Sequence, residues 1–215
     1  KSDSLEYSLM RARLEVYYEV IPSNSLRLFQ SKFDKDPNDA NTYGLALAHQ
    51  KNNNYEKSIN LLDKLIKKYP KNLVINTTKV DILTAFGNYS DALILVDKFL
   101  EISPKNYPLS ISKSKLLLAM KSYFESEEII RDQLLRKNDD PELWLLLSEI
   151  QRNSQNILGY HQSRAEYYLL LGQDEQALNQ LEFALKMTQN NFQASERIMT
   201  KIVDIKKDLG ESRGL

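Results

Sequence analysis

His49 and His161 are the only imidazoles among 215 residues, and no cysteine accompanies them. An imidazole can hold a metal or carry a proton near neutral pH, but either role needs partners. Those would be a second histidine, or carboxylates at ligand spacing, as in HExxH. Neither histidine stands in such a pattern. No GxSxG turn, glycine-rich phosphate loop, or serine or lysine poised beside a base occurs, so nucleophilic catalysis has no constellation to use. The absence of cysteine excludes disulfides, zinc-thiolate sites and thiol nucleophiles, and leaves the redox compartment open. Catalytic, cofactor and metal residues are therefore not expected in this chain. The side chains that could still hold a ligand are aromatic: Trp144, the single tryptophan, and the adjacent pair Tyr167-Tyr168.

The elements that must position these residues follow a period. Tyr55, Tyr89 and Tyr123 stand 34 residues apart, Ser58, Ala92 and Ser126 follow each by three, and Pro70 and Pro104 keep the interval. A 34-residue repeat with a small residue shortly after an aromatic is the signature of the tetratricopeptide (TPR) helix hairpin. It predicts an all-α fold, a TPR-type right-handed superhelical solenoid of about twelve antiparallel helices. Small residues at two facing positions let the helices of a hairpin approach, and larger ones fill the space between hairpins. The 42% hydrophobic content suffices for one continuous array over 1–215. Residues 1–36 read as a capping helix pair, with Leu5, Leu9, Ala12 and Val16 inward on the first helix and Leu26, Phe29 and Phe33 on the second. Residues 37–138 read as three regular repeats. Gly87, Gly172 and the run Asn52-Asn53-Asn54 are expected to end first helices in left-handed turns. After Pro141 the register changes, and Ile157 stands where the next aromatic would fall. Residues 139–189 read as irregular overlapping repeats in which the helix from about Ile157 to Leu171 serves two hairpins. Residues 190–215 read as a C-terminal cap with Ile198, Ile202 and Ile205 on one stripe.

Within this frame His49, His161 and Trp144 occupy positions that point into a hairpin, so packing is the expectation for all three. Tyr168 is also inward, whereas Tyr167 faces another side of its helix and is either packed or exposed. TPR arrays usually bind partners along the inner face of their first helices. Here that face is Tyr43, Leu47, Gln50 and Lys51, then Thr77, Asp81 and Thr84, then Ile111, Lys115 and Leu118. Its charge is mixed. With 29 basic and 29 acidic residues, the chain has no net field to draw it to nucleic acid or an anionic membrane. TPRs that grip a C-terminal carboxylate place Lys and Asn where this chain has Tyr43, Gly44 and Leu47, then Thr77, Thr78 and Asp81, so that clamp is not expected. No run approaches the roughly 18 apolar residues of a membrane span, so direct membrane insertion is not expected either. The opening Lys1-Ser2-Asp3-Ser4 reads as that of a trimmed or mature fragment.

Longer strings carry a resemblance. Leu9-Met10-Arg11-Ala12-Arg13-Leu14, Tyr43-Gly44-Leu45-Ala46-Leu47 and Arg164-Ala165-Glu166-Tyr167-Tyr168 running to Gly172 come first. Gln180-Leu181-Glu182-Phe183-Ala184-Leu185-Lys186 and the helix from Arg197 to Leu209 extend them. In order and spacing they resemble the C-terminal region of the beta-barrel assembly-enhancing protease family, over essentially the whole chain. Members are periplasmic zinc metallopeptidases in which an HExxH domain precedes a TPR domain. The resemblance implies that zinc belongs to a peptidase domain outside this chain and that no catalytic role carries over to any residue here. It also implies a periplasmic docking module. Its partners would be the outer-membrane barrel-assembly complex, barrel-protein substrates and its own peptidase domain. A free-standing TPR scaffold or co-chaperone is the other reading the repeat allows.

Overall fold

The computed structural model describes residues 4–188 and 191–212. Twelve α-helices and no strand lie among them, as a TPR-type fold requires. They are α1 (Leu5–Tyr18), α2 (Pro22–Lys35), α3 (Asp39–Lys51), α4 (Tyr55–Lys68), α5 (Leu73–Phe86), α6 (Tyr89–Ile102), α7 (Tyr107–Ala119), α8 (Tyr123–Leu134), α9 (Pro141–Asn153), α10 (Ile157–Leu170), α11 (Asp174–Lys186) and α12 (Phe192–Ser212). Two compact units divide the chain within α7, Lys1–Leu116 and Leu117–Leu215.

Tight turns set the hairpins. Asn53, Gly87, Lys121 and Gln155 all take left-handed backbone angles, φ 58, 86, 64 and 62°. Each is followed by an amide that reaches back across the last turn of the preceding helix. These bonds run from Asn54 N to His49 O, Asn88 N to Leu83 O and Ser122 N to Leu117 O at 2.9 Å, and from Asn156 N to Gln151 O at 2.8 Å. That bond closes a Schellman motif and satisfies a carbonyl the helix itself leaves open. Gly172 repeats the arrangement (φ 66°), with Gln173 N bonded to Tyr168 O at 2.9 Å. Starts are equally explicit: the side chains of Asn38, Asn72 and Asn156 accept from Asn41 N, Ile75 N and Gly159 N and cap α3, α5 and α10.

In the first unit α1 and α2 pack on α3, α3 on α4, α4 on α5 and α5 on α6. Leu9, Phe29, Tyr43, Leu62, Ile75 and Ile82 form the centre of its core. Close approach of α3 and α4 rests on small residues: Ala46 and Ser58 are buried, and Ser58 Oγ donates to Ala46 O at 2.7 Å. In the second unit α8 packs on α9, α9 on α10, α10 on α11 and α11 on α12. Ala165, Leu181, Ala184, Ile198, Ile202 and Ile205 line the core at that end. The second capping helix begins earlier than its apolar pattern suggests, because Pro22 at the first helical position is already set for α2.

Candidate functional site

The ten residues of the expected inner face meet different fates. Tyr43, Leu47 and Thr77 are buried, which removes them from a partner's reach and corrects the expectation. For Tyr43 the cause is α1, which packs on α3 and brings Arg13 over the ring. The Tyr43 hydroxyl accepts from Arg13 Nη2 at 2.6 Å and Nε at 3.1 Å, and shares a 2.8 Å hydrogen bond with Thr78 Oγ1. Burial pushes the Tyr43 phenol pKa up. Thr77 Oγ1 donates back to Leu73 O at 2.6 Å. Lys51 is occupied as a cap. Its Nζ donates to Val16 O at 2.7 Å, Tyr17 O at 3.2 Å and Glu19 O at 2.5 Å, holding the carbonyls at the end of α1. Gln50, Thr84, Ile111 and Leu118 are partly buried.

Asp81 and Lys115 remain exposed. Asp81 accepts from Ser112 Oγ at 2.7 Å, which ties α5 to α7. Water reaches the Asp81 side chain, yet so much protein surrounds it that lost solvation is the largest influence on its carboxyl. It holds the pKa above the usual 3.8 against the Ser112 hydrogen bond and the charges of Lys115 and Arg13. A raised carboxyl contributes stability that is fully present below the unfolded pKa and is lost as pH rises through the folded value. At neutral pH the Asp81 carboxylate therefore costs stability, by a small amount because solvent screens it. Asp81→Asn is expected to raise Tm by about 1–2 °C at pH 7 and to leave it unchanged below about pH 4. Calorimetry at the two pH values checks this, and a lower Tm at pH 7 rejects it.

His49 is buried on α3, and burial, helped by the charge of Lys57, holds its imidazole below the usual 6.5. Nδ1 of His49 has no hydrogen-bond partner among the described residues. His161 Nδ1 pairs with Gln180 Oε1 at 2.8 Å, and its ring stacks on Phe183 with centroids 5.3 Å apart. Tyr167 and Tyr168 are both partly buried, pinned by the Arg164 guanidinium at 5.2 and 4.7 Å from their centroids. Among the described residues no three His, Asp or Glu side chains gather into a metal-binding group, and no helix is long and apolar enough to cross a membrane.

Trp144 departs from the packing expectation. It is only partly buried, its indole N–H donates to Asn138 O at 2.7 Å, and its ring lines a cleft with Arg131, Gln162 and Arg197. The repeat frame assigns Trp144 to packing but says nothing of Gln162 and Arg197, which come from α10 and α12, beyond the regular repeats. No sequence signal joined the three.

No family model matches the sequence, and no curated protein matches it. Solved structures match in fold. A thermophilic TPR protein of Thermus thermophilus superposes with a TM-score of 0.56 at 17% identity, over 93% of this chain and 100% of that one. A tetratricopeptide repeat protein from Parabacteroides merdae ATCC 43184 gives 0.55 at 16% identity, over 85% and 78%. The fold is the TPR fold. MamA from Desulfovibrio magneticus RS-1 gives 0.52 at 13% identity, over 86% of this chain and 96% of that one. At such identities the likeness speaks to the helix-hairpin fold alone.

Proposed function

We propose that this TPR chain is a protein-binding module, and that the α5–α7 surface around Asp81, Ser112 and Lys115 contacts its partner. The observation that carries the reading is Asp81. An exposed carboxylate fixed by the 2.7 Å hydrogen bond from Ser112 Oγ, on the same face as the exposed Lys115, presents a charged surface that a protein partner can read. The mixed sign of the pair Asp81 and Lys115 suits a protein partner better than a polyanion. Within this reading, the strings from Leu9 to Leu14 and from Arg164 to Gly172 support a finer proposal. The module docks a periplasmic zinc metallopeptidase onto the outer-membrane barrel-assembly machinery and its barrel substrates, for quality control of outer-membrane proteins. Zinc would then reside in the peptidase domain.

Immobilised chain should retain purified barrel-assembly components, and the double variant Asp81→Lys/Lys115→Glu should retain at least about fivefold less, since reversed charges oppose a complementary surface. Equal recovery by both proteins counts against the Asp81 surface. Failure of the unaltered chain to retain any assembly component rejects the finer proposal and leaves a free-standing scaffold or co-chaperone.

A further inference from the structure

A cleft of about 250 Å³ opens in the second unit, between residues of α8, α9, α10, α11 and α12. Its floor is apolar: Leu147, Leu181 and Ile198 are buried. Its rim is charged but unevenly matched. Glu166 is paired with Lys201, and Arg131 donates to Glu127 Oε1 through Nη2 at 2.6 Å and Nε at 2.9 Å. Arg197 and Gln162, which line the same cleft, have no hydrogen-bond or ion-pair partner among the described residues. One unmatched guanidinium and one unmatched amide therefore converge there. Trp144 and Arg131 also line a second, shallower hollow of about 760 Å³, together with Leu134, Asn138 and Leu135, which is 87% exposed. Because Asn138 O holds the indole N–H, the ring is a fixed wall shared by a cationic cleft and a hollow whose apolar side is Leu134 and Leu135.

We propose that this wall binds an extended peptide segment in which a carboxylate lies next to an apolar side chain. The planar fork of Arg197 suits a carboxylate. The Gln162 amide can both donate to and accept from a peptide backbone. An apolar side chain crossing the wall gains contact with Trp144 and Leu135. Glu128 and Asp132 on the hollow oppose a polyanion, so the site fits one carboxylate and not a nucleic-acid backbone. This inference rests on the protein-binding reading and adds a second contact site, with no residue in common with the Asp81 surface.

Trp144 is the only tryptophan, so its emission reports on the cleft directly. The whole chain is titrated with the peptides Ac-Gly-Phe-Glu-Gly-amide and Ac-Gly-Phe-Gln-Gly-amide, and with the free acid Ac-Gly-Gly-Phe. A saturable change with the glutamate peptide is expected, at least about tenfold weaker with the glutamine peptide, as loss of a charge-assisted pair implies. Saturation by the free acid alone would still support the cleft and would assign its carboxylate to a chain end. Arg197→Gln should weaken the response at least about tenfold, and Arg197→Lys should restore part of it. The proposal is overturned if the glutamate and glutamine peptides both saturate with equal affinity, if Arg197→Gln titrates as the unaltered chain does, or if none of the three peptides saturates below about 5 mM. Asp81→Lys/Lys115→Glu should keep the emission response. A silent cleft with partner recovery that falls in Asp81→Lys/Lys115→Glu overturns this site alone, and recovery equal in that variant and the unaltered chain, with an intact emission response, overturns the Asp81 surface alone.

Discussion

Gly44→Ala is expected to destabilise the protein by about 2–3 kcal/mol, a large loss for a single added methyl. Gly44 is buried on α3, and a Cβ there would lie 2.0 Å from Phe29 Cε1 and 2.3 Å from Cδ1. Alanine is the better helix former by about 1 kcal/mol, but contacts that short cannot be absorbed unless the ring moves. Phe29 is 1% exposed, and Lys32 Nζ lies 4.9 Å from its centroid, so the ring can yield only by shifting against its packed neighbours. The expected fall in Tm is about 5–10 °C for a chain of this size. Gly87→Ala is the contrast. Nothing lies within 4 Å of a Cβ at that position, and only its φ of 86° resists a side chain, so the loss should be about 1 kcal/mol. Phe29→Leu shortens the ring that obstructs Gly44→Ala, and urea unfolding of the double variant should show at least about 1 kcal/mol less destabilisation than the two single losses summed. A Tm for Gly44→Ala within about 1 °C of the parent would reject the close packing of α2 on α3.

The fold was legible because a TPR turn writes itself into several residue types at once. Tyr55, Tyr89 and Tyr123 open α4, α6 and α8, and the left-handed turn lies two residues before each. At the fourth step the side chains give out while the backbone continues. Ile157 opens α10 in place of a tyrosine, and Gln155, not glycine or asparagine, takes the left-handed turn 34 residues after Lys121. Close approach of α9 and α10 is obtained differently there. Where Ser58, Ala92 and Ser126 stand in the earlier repeats, Tyr160 stands in this one, and the neighbouring Gly159 admits the contact. A Cβ on Gly159 would lie 2.7 Å from Asn156 Nδ2 and 2.8 Å from Gln151 Nε2. A period sought in aromatic and small residues loses this hairpin, whereas the period of the turns keeps it. The candidate site was less legible, since a repeat position names a face without saying what covers it. Tyr43 and Leu47 hold inner-face positions and are buried, Tyr43 because α1 lies on α3. The partly buried Trp144 holds a packing position and lines a cleft, because residues from α10 to α12 form the rest of its wall. Burial of that kind is decided between hairpins, where the 34-residue frame carries no information.

Arg13→Met should be nearly as damaging as Gly44→Ala, through lost hydrogen bonds and not through steric conflict. Arg13 on α1 joins three helices: besides its two bonds to the Tyr43 hydroxyl on α3, its Nη2 donates to Thr78 Oγ1 on α5 at 2.6 Å. Tyr43 is fully buried, so the hydroxyl cannot turn to water when the guanidinium is removed. It would keep only Thr78, which already donates to Val74 O at 2.6 Å. Hydrogen bonds to a charged group contribute about 1.5–3 kcal/mol, and the buried hydroxyl, left donating to Thr78 with its accepting side unmet, adds to the loss. A fall of about 2–3 kcal/mol is therefore expected. Tyr43→Phe should lose less, because it deletes the hydroxyl instead of stranding it and leaves the partly buried Arg13 able to reach solvent. Since both variants break the same cluster, Arg13→Met/Tyr43→Phe should fall short of the summed single losses by at least about 1 kcal/mol. In an Asp81→Asn background, which removes the carboxyl that Arg13 influences, the loss should also be level between pH 5 and pH 9, as arginine stays charged and burial holds the Tyr43 phenol above its usual range. Additive losses, or a loss that changes across that interval, would mean that α1 is held by apolar contact alone. Arg13 also lowers the Asp81 pKa through its charge. Its removal should therefore raise that carboxyl further and enlarge the gain from Asp81→Asn at neutral pH, which links the packing of the first helix to the surface proposed to meet the partner.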